Sequence, residues 1–132
     1  MNQTEKEIIA ILKKEATSIC KIMTPNDKVR VGLVASAIYT NKRNIYTGVS
    51  IEVSCGMGFC AEHSAIAEML KNKESKIDYI IAVSKNNIIP PCGRCRELIR
   101  QINKNNINTL VIISEEKIMQ LSELLPIPYI TD

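Results

Sequence analysis

Cys60-Ala61-Glu62 and Pro91-Cys92-Gly93-Arg94-Cys95 bring three thiols and one carboxylate into the pattern that a hydrolytic zinc site needs. Three thiolates can hold Zn²⁺ at three corners of a tetrahedron and leave the fourth for water. Glu62, two residues after the first ligand, is placed to face that water as acid and base without binding the metal. Cys60, Cys92 and Cys95 are therefore the candidate ligands of one Zn²⁺ per chain, and Glu62 is the candidate catalytic residue. The backbone N–H of Ala61 and the carbonyl of Pro90 are candidates for orienting a substrate.

Three thiolates on one Zn²⁺ carry a formal charge of about −1, which weakens the ion as a Lewis acid. A nearby donor to sulfur would offset it. His63, Arg94 and Arg96 are the candidates, with Arg94 and His63 ahead of Arg96. Other readings of the same residues stay open. Cys92-x-x-Cys95 can be a redox pair, since it too precedes a helix. Cys55 or His63 can complete a four-ligand structural zinc site. Either arginine can simply lie on a solvated helix face, and Cys20, at core spacing in the first helix, reads as a small buried hydrophobe.

The elements that must position these groups are legible as patterns. Thr4 to Met23 spaces Ile8, Ile9, Ile11, Leu12, Ile19 and Ile22 on a helical stripe, with Thr4 and Glu7 as a capping box, and Thr24 to Asp27 ends it. Val29 to Thr40 and Ile45 to Val53 read as a hairpin around the polar turn Asn41 to Asn44. Ser54 to Gly58 is a loop, and Cys60 to Asn72 a second helix. Ile77 to Ser84 is a continuous apolar run, the mark of a strand buried on both faces. Lys85 to Pro91 reads as a loop, Gly93 to Lys104 as a helix, Thr109 to Ser114 as a strand and Glu116 to Leu125 as a last helix. Two apolar strands joined by a helix predict a parallel, right-handed crossover, with helices covering both sheet faces. Each cysteine group falls at a helix start, where backbone N–H groups and the helix dipole favour thiolate.

Composition narrows the class. The 132 residues make one domain, 1–132, long enough for a single core without staples. A net charge of +3 is dispersed, and aromatics are only 4% of residues, which argues against a basic, stacking groove for a nucleic-acid polymer. Glu5, Lys6 and Glu7 stand where an export signal would begin with a basic stretch, and no apolar run approaches about 18 residues. Five cysteines without an export signal point to metal or catalysis rather than disulfides. The expectation is a soluble, cytoplasmic protein with no membrane partner.

At these residues the chain resembles the cytidine deaminase superfamily, whose zinc enzymes combine a first Cys or His ligand, a nearby Glu and a Pro-Cys-x-x-Cys. Gly48-Val49-Ser50-Ile51-Glu52 and Ser122-Glu123-Leu124-Leu125-Pro126 extend the likeness from about Val31 to Tyr129. The tetrameric three-cysteine branch is the most similar, and Val34 to Ala37, Ile45 to Val49 and Pro91 to Arg96 resemble blasticidin-S deaminases. The resemblance implies a three-layer α/β/α sandwich with a five-stranded mixed sheet, the fifth strand near Pro126 to Thr131. It implies zinc on Cys60, Cys92 and Cys95, proton transfer by Glu62, and substrate contacts from Ser50, Glu52 and Ala61, with Glu52 on ribose. It also implies a small-molecule nucleoside substrate and a homotetramer, in which Tyr129 either reaches a neighbouring subunit or packs locally. Ser50 replaces an Asn, Val29 stands near a base-packing Phe, His63 replaces an Arg, and the stretch from Glu52 to Cys60 differs in length. These departures bear on the substrate. The expected reaction is hydrolytic removal of the exocyclic amine of cytidine or deoxycytidine. Deamination of blasticidin S or another cytosine-nucleoside analogue is the alternative, and a non-catalytic zinc or redox module is a third.

Overall fold

A computed structural model describes residues 1–131; Asp132, the last residue of the expected domain, lies outside the described residues. In chain order the elements are α1 (Gln3–Ile19), β1 (Met23–Asn26), β2 (Val29–Thr40), β3 (Ile45–Glu52), α2 (Ala61–Lys71), β4 (Ile77–Ser84), β5 (Asn87–Ile89), α3 (Gly93–Ile102), β6 (Leu110–Ser114), β7 (Lys117–Gln120) and α4 (Leu121–Leu124).

The sheet has seven strands rather than the five expected, yet they fill five positions across it. β3 and β4 flank β2, and β1 shares the β4 edge of β2. β5 and β6 share the far edge of β4, and β7 lies outside β6. Only β4 and β6 are parallel, as the helical crossover through α3 predicts. Alternation along β2 and β4 divides the core. Ala35, Ala37, Ile81 and Val83 pack with Ile9, Leu12 and Ala16 of α1. Ile38, Ile77 and Ile80 face the other way, onto Ala65, Ile66 and Met69 of α2 and Ile99 of α3. The result is helix, sheet, helices: three layers.

The departures from expectation lie at helix ends and sheet edges. The first helix starts two residues early. Asn2, a stronger cap than Thr4, accepts from the Glu5 N–H at 2.8 Å while Glu5 Oε1 accepts from the Asn2 N–H at 3.1 Å. It also stops at Ile19, leaving Ile22 exposed, and Met23 to Asn26 is a strand rather than a turn. Lys85 and Asn86 both adopt left-handed φ, 50° and 68°, and fold β5 back along β4 within the expected loop. Lys117 to Gln120 joins the open edge of β6 as β7, so only Leu121 to Leu124 of the expected last helix is helical. Residues 126–131 form no strand. The three added strands, β1, β5 and β7, are short segments whose conformation is set by the unpaired backbone beside them.

Two close approaches bring the sheet to the site. A Cβ at Gly48 of β3 would lie 2.3 Å from the Ala65 nitrogen, so only glycine lets α2 settle this low on the sheet. A Cβ at Gly58 would lie 2.1 Å from the Ile51 carbonyl oxygen. That contact closes the loop after β3, where Ile51 and Phe59 exchange two backbone hydrogen bonds of 3.0 Å just before Cys60.

Candidate active site

The three sulfurs meet. Cys60 is the N-cap of α2, Cys92 is the N-cap of α3, and Cys95 lies in the first turn of α3. Their Sγ atoms are 3.6 Å apart for Cys60–Cys92 and 3.6 Å for Cys92–Cys95, and all three lie within 4.8 Å of one another. A tetrahedral zinc with Zn–S of about 2.3 Å sets its sulfurs about 3.8 Å apart, so the cluster fits that ion. The same spacing is far beyond the roughly 2.05 Å of a disulfide, and the cysteines are free thiols. Among the described residues the cluster contains these three side chains and no fourth. Cys55 sits exposed in the loop, outside the cluster. Three sulfurs rather than four are the ligand count of a site that keeps a position open to reactants.

Burial and mutual charge oppose ionisation of these thiols in the protein alone. Burial pushes the Cys95 thiol far up, and the charges of Glu62 and Cys60 add to it. Cys60 is also raised, by burial first and then by its hydrogen bond with Cys92. Burial acts the same way on Cys92, but backbone N–H groups of Cys95 and Arg94 and the neighbouring thiols outweigh it, so its thiol is lowered. The helix starts therefore favour thiolate at one cysteine, not at both groups as expected. A divalent cation reverses this balance, since coordinated thiols lose their protons.

Glu62, in the first turn of α2, is only 4% exposed, and burial pushes its carboxyl above the ordinary range against a smaller opposing pull from its own backbone N–H. It lines a cleft of about 340 Å³ together with Ser50, Glu52, Cys60, Pro90 and Cys92. That volume lies within the range of small-molecule sites, roughly 300–1,000 Å³. Ala61 is fully buried and is not among the residues that line the cleft; its N–H, at the first helical position, has no partner within the helix. The Ser50 hydroxyl accepts from the Val34 N–H at 3.0 Å.

Of the three candidates for offsetting the sulfur charge, His63 is the one that touches a sulfur. Its Nδ1 lies 3.5 Å from Cys95 Sγ, and its ring stacks on Phe59 at a centroid distance of 6.2 Å. Burial, then the Arg94 charge, holds its pKa below the ordinary value. Arg96 is not a sulfur donor: its Nε donates to the Pro91 carbonyl at 2.9 Å and its Nη1 to the Leu124 carbonyl at 3.2 Å, which ties the second cysteine loop to α4. Arg94 is exposed on the cleft wall. Cys20 is half-buried with its Sγ 3.5 Å from the Val83 carbonyl oxygen, away from the cluster.

Val29 does not line the cleft; Val34, Ile89 and Phe59 do. Phe59, the chain's only phenylalanine, was not singled out by the sequence, though its place directly before Cys60 was a usable signal. Tyr129 is 86% exposed, and its backbone N–H donates to Glu97 at 2.8 Å, so its ring does not pack locally.

Comparison with known proteins points the same way. Residues 5–112 match the model of the cytidine and deoxycytidylate deaminase zinc-binding region. The chain is 30% identical over 115 residues to a cytidine deaminase of Mycoplasma genitalium, covering 85% of each chain. It is 32% identical over 102 residues to a probable cytidine deaminase of Dictyostelium discoideum, covering 74% of this chain and 65% of that one. In fold it resembles the crystal structure of cytidine deaminase from Mycobacterium tuberculosis, with a TM-score of 0.78 at 21% identity over 93% of this chain and 98% of the other.

Proposed function

The chain belongs to the cytidine and deoxycytidylate deaminase family, and from that premise we propose that it hydrolyses the exocyclic amine of a cytosine nucleoside, cytidine or deoxycytidine, to a carbonyl with release of ammonia. The observation that carries this reading is the placement of Glu62 on the same cleft as two members of a three-sulfur cluster of tetrahedral spacing.

Bound by Cys60, Cys92 and Cys95, zinc supplies the Lewis acidity that makes a water nucleophilic near neutral pH. The chain's own residues do the rest. Glu62 takes a proton from the attacking water and passes protons to the ring nitrogen and the departing amine. Its burial suits the first of these steps, because a carboxylate held toward the neutral form is a stronger base than an exposed one. The Ala61 N–H and Pro90 carbonyl orient the base, and Phe59 and Ile89 form apolar cleft wall. Ser50 and Glu52 meet the sugar, with Glu52 as the acceptor for its hydroxyls. His63 donates to Cys95 and draws charge from the sulfurs.

This reading takes residues 1–132 as one deaminase domain. It places the protein in the cytoplasm as a homo-oligomer, a tetramer by resemblance; the exposed Ile127 and Tyr129 suit a covered face, and no helix is long and apolar enough to cross a membrane. A role in pyrimidine salvage follows from cytidine as substrate. A cytosine-nucleoside analogue such as blasticidin S is the second reading. It is favoured by Ser50, whose hydroxyl is already engaged by the Val34 N–H, and by a cleft without Val29.

The test is a substrate panel with zinc-loaded protein. Cytidine and deoxycytidine should lose their absorbance band and release equimolar ammonia faster than blasticidin S does. Turnover of blasticidin S alone would move the assignment to the analogue; no turnover of any of them would end it.

A further inference from the structure

Glu52 is held from behind. Read in one register from the Ala35↔Val49 pair, the β2–β3 hairpin would set Arg30 opposite Ser54. The register slips between Val31 and Ala35, where Gly32 takes φ +83°, and Arg30 pairs with Glu52 instead. Arg30 Nε and Nη2 then donate to Glu52 Oε2 at 3.2 and 2.8 Å. Both donors go to one oxygen; Oε1 takes neither.

Glu52 stands on the partition between two depressions. One is the catalytic cleft; the other, of about 330 Å³, is lined by Asp27, Lys28, Arg30, Val53, Ser54 and Glu52 itself. Arg30 lines only the second. It therefore reaches a molecule in the cleft through Glu52. The two side chains are 55% and 44% exposed, and an ion pair so open to water contributes little to stability. Its value lies in direction: two N–H groups of one guanidinium converge on Oε2 and leave Oε1 without an Arg30 contact.

We propose that Arg30 is a positioning residue that fixes the Glu52 carboxylate so that Oε1 is presented to the hydroxyls of the substrate's sugar. This rests on the nucleoside reading of the cleft. Without Arg30, Glu52 swings among rotamers, and the sugar contact is lost from ground state and transition state alike. KM rises and kcat stays.

The experiment compares wild type, Arg30→Ala, Arg30→Lys and Glu52→Ala on cytidine and on 2′,3′-dideoxycytidine, which lacks the hydroxyls. Arg30→Ala should raise KM for cytidine about tenfold, the size of one hydrogen bond to a charged group, with kcat within about twofold. The dideoxy substrate should show no such rise, Arg30→Lys should recover part of the loss, and adding Arg30→Ala to Glu52→Ala should cost nothing further. An unchanged KM for cytidine, an equal rise for both substrates, or a fall in KM, which would make Arg30 a competitor for Glu52, overturns the proposal. Failure of the underlying reading looks different: wild type itself would then treat the two nucleosides alike or turn over neither, and Arg30 would have no sugar contact to serve.

Discussion

Helix α2 has a buried carboxylate near each end, and the two behave oppositely. Glu62, in its first turn, is 4% exposed and has its pKa raised by burial. Glu74, just beyond the last turn, is 6% exposed and has its pKa lowered, through hydrogen bonds with Thr40, then Tyr46, against the pull of burial, with Asn44 adding to them. Asn44 Nδ2 donates to Glu74 Oε2 at 2.7 Å, and the Tyr46 hydroxyl donates to the same oxygen. Residue type and low solvent exposure are shared, but Glu62 is set deeper, where burial dominates, and Glu74 lies nearer the surface, where its hydrogen-bond partners dominate. A carboxylate with two donors on one oxygen is an anchored anion that ties the β2–β3 turn to the end of α2. One buried beside sulfurs, with burial as the dominant influence, is held toward its neutral form.

The sharpest way to break this contrast is to remove each carboxylate's charge in turn and read turnover. Glu62→Gln should lower kcat by about 10³- to 10⁴-fold, the scale of a lost acid–base group, while Glu74→Gln should leave kcat within about twofold. Equal losses in the two variants would mean that Glu62 acts through structure. Stability should show the reverse. Glu74→Ala leaves the Tyr46 and Asn44 donors without their acceptor and should cost about 2–3 kcal/mol in urea unfolding, and Glu62→Gln, which replaces a poorly solvated charge, should cost less than Glu74→Ala.

The pH dependence follows from the direction of the Glu74 shift. Its folded pKa lies below the ordinary 4.5, so the unfolded chain binds the proton more readily. Its contribution is complete above pH 4.5 and is lost as pH falls from there through the folded pKa. The stability gap between wild type and Glu74→Gln should therefore be constant near neutrality and close in acid; a gap that widens in acid would reverse the sign of the shift. Tyr46→Phe should give a smaller loss than Glu74→Ala, confined to the same pH window, because Asn44 still donates.

Much of the chemistry was legible because it is local. The spacing of Cys60, Cys92 and Cys95 points to the sulfur cluster, and that of Glu62 to a candidate acid–base group, before any fold is known. Val29–Thr40 and Ile77–Ser84 were readable to the residue, since their length and apolar content allow only buried strands. The edge strands β5 and β7 were not, because three or four residues carry no periodicity of their own and take the conformation that β4 and β6 offer. That His63 rather than Arg96 lies against a sulfur depended on where α4 ends, since the Leu124 carbonyl captures Arg96. The facing of Arg30 and Glu52 depended on a register slip that Gly32 permits and hairpin counting misses.

The division of labour between three sulfurs and one carboxylate is tested most directly by counting metal in the variant that lacks the carboxylate. Zinc analysis of purified Glu62→Gln should find one ion per chain, as in wild type, because Glu62 lies outside the ligand set. A variant that loses its zinc would make Glu62 a fourth ligand and contradict its role as a proton carrier.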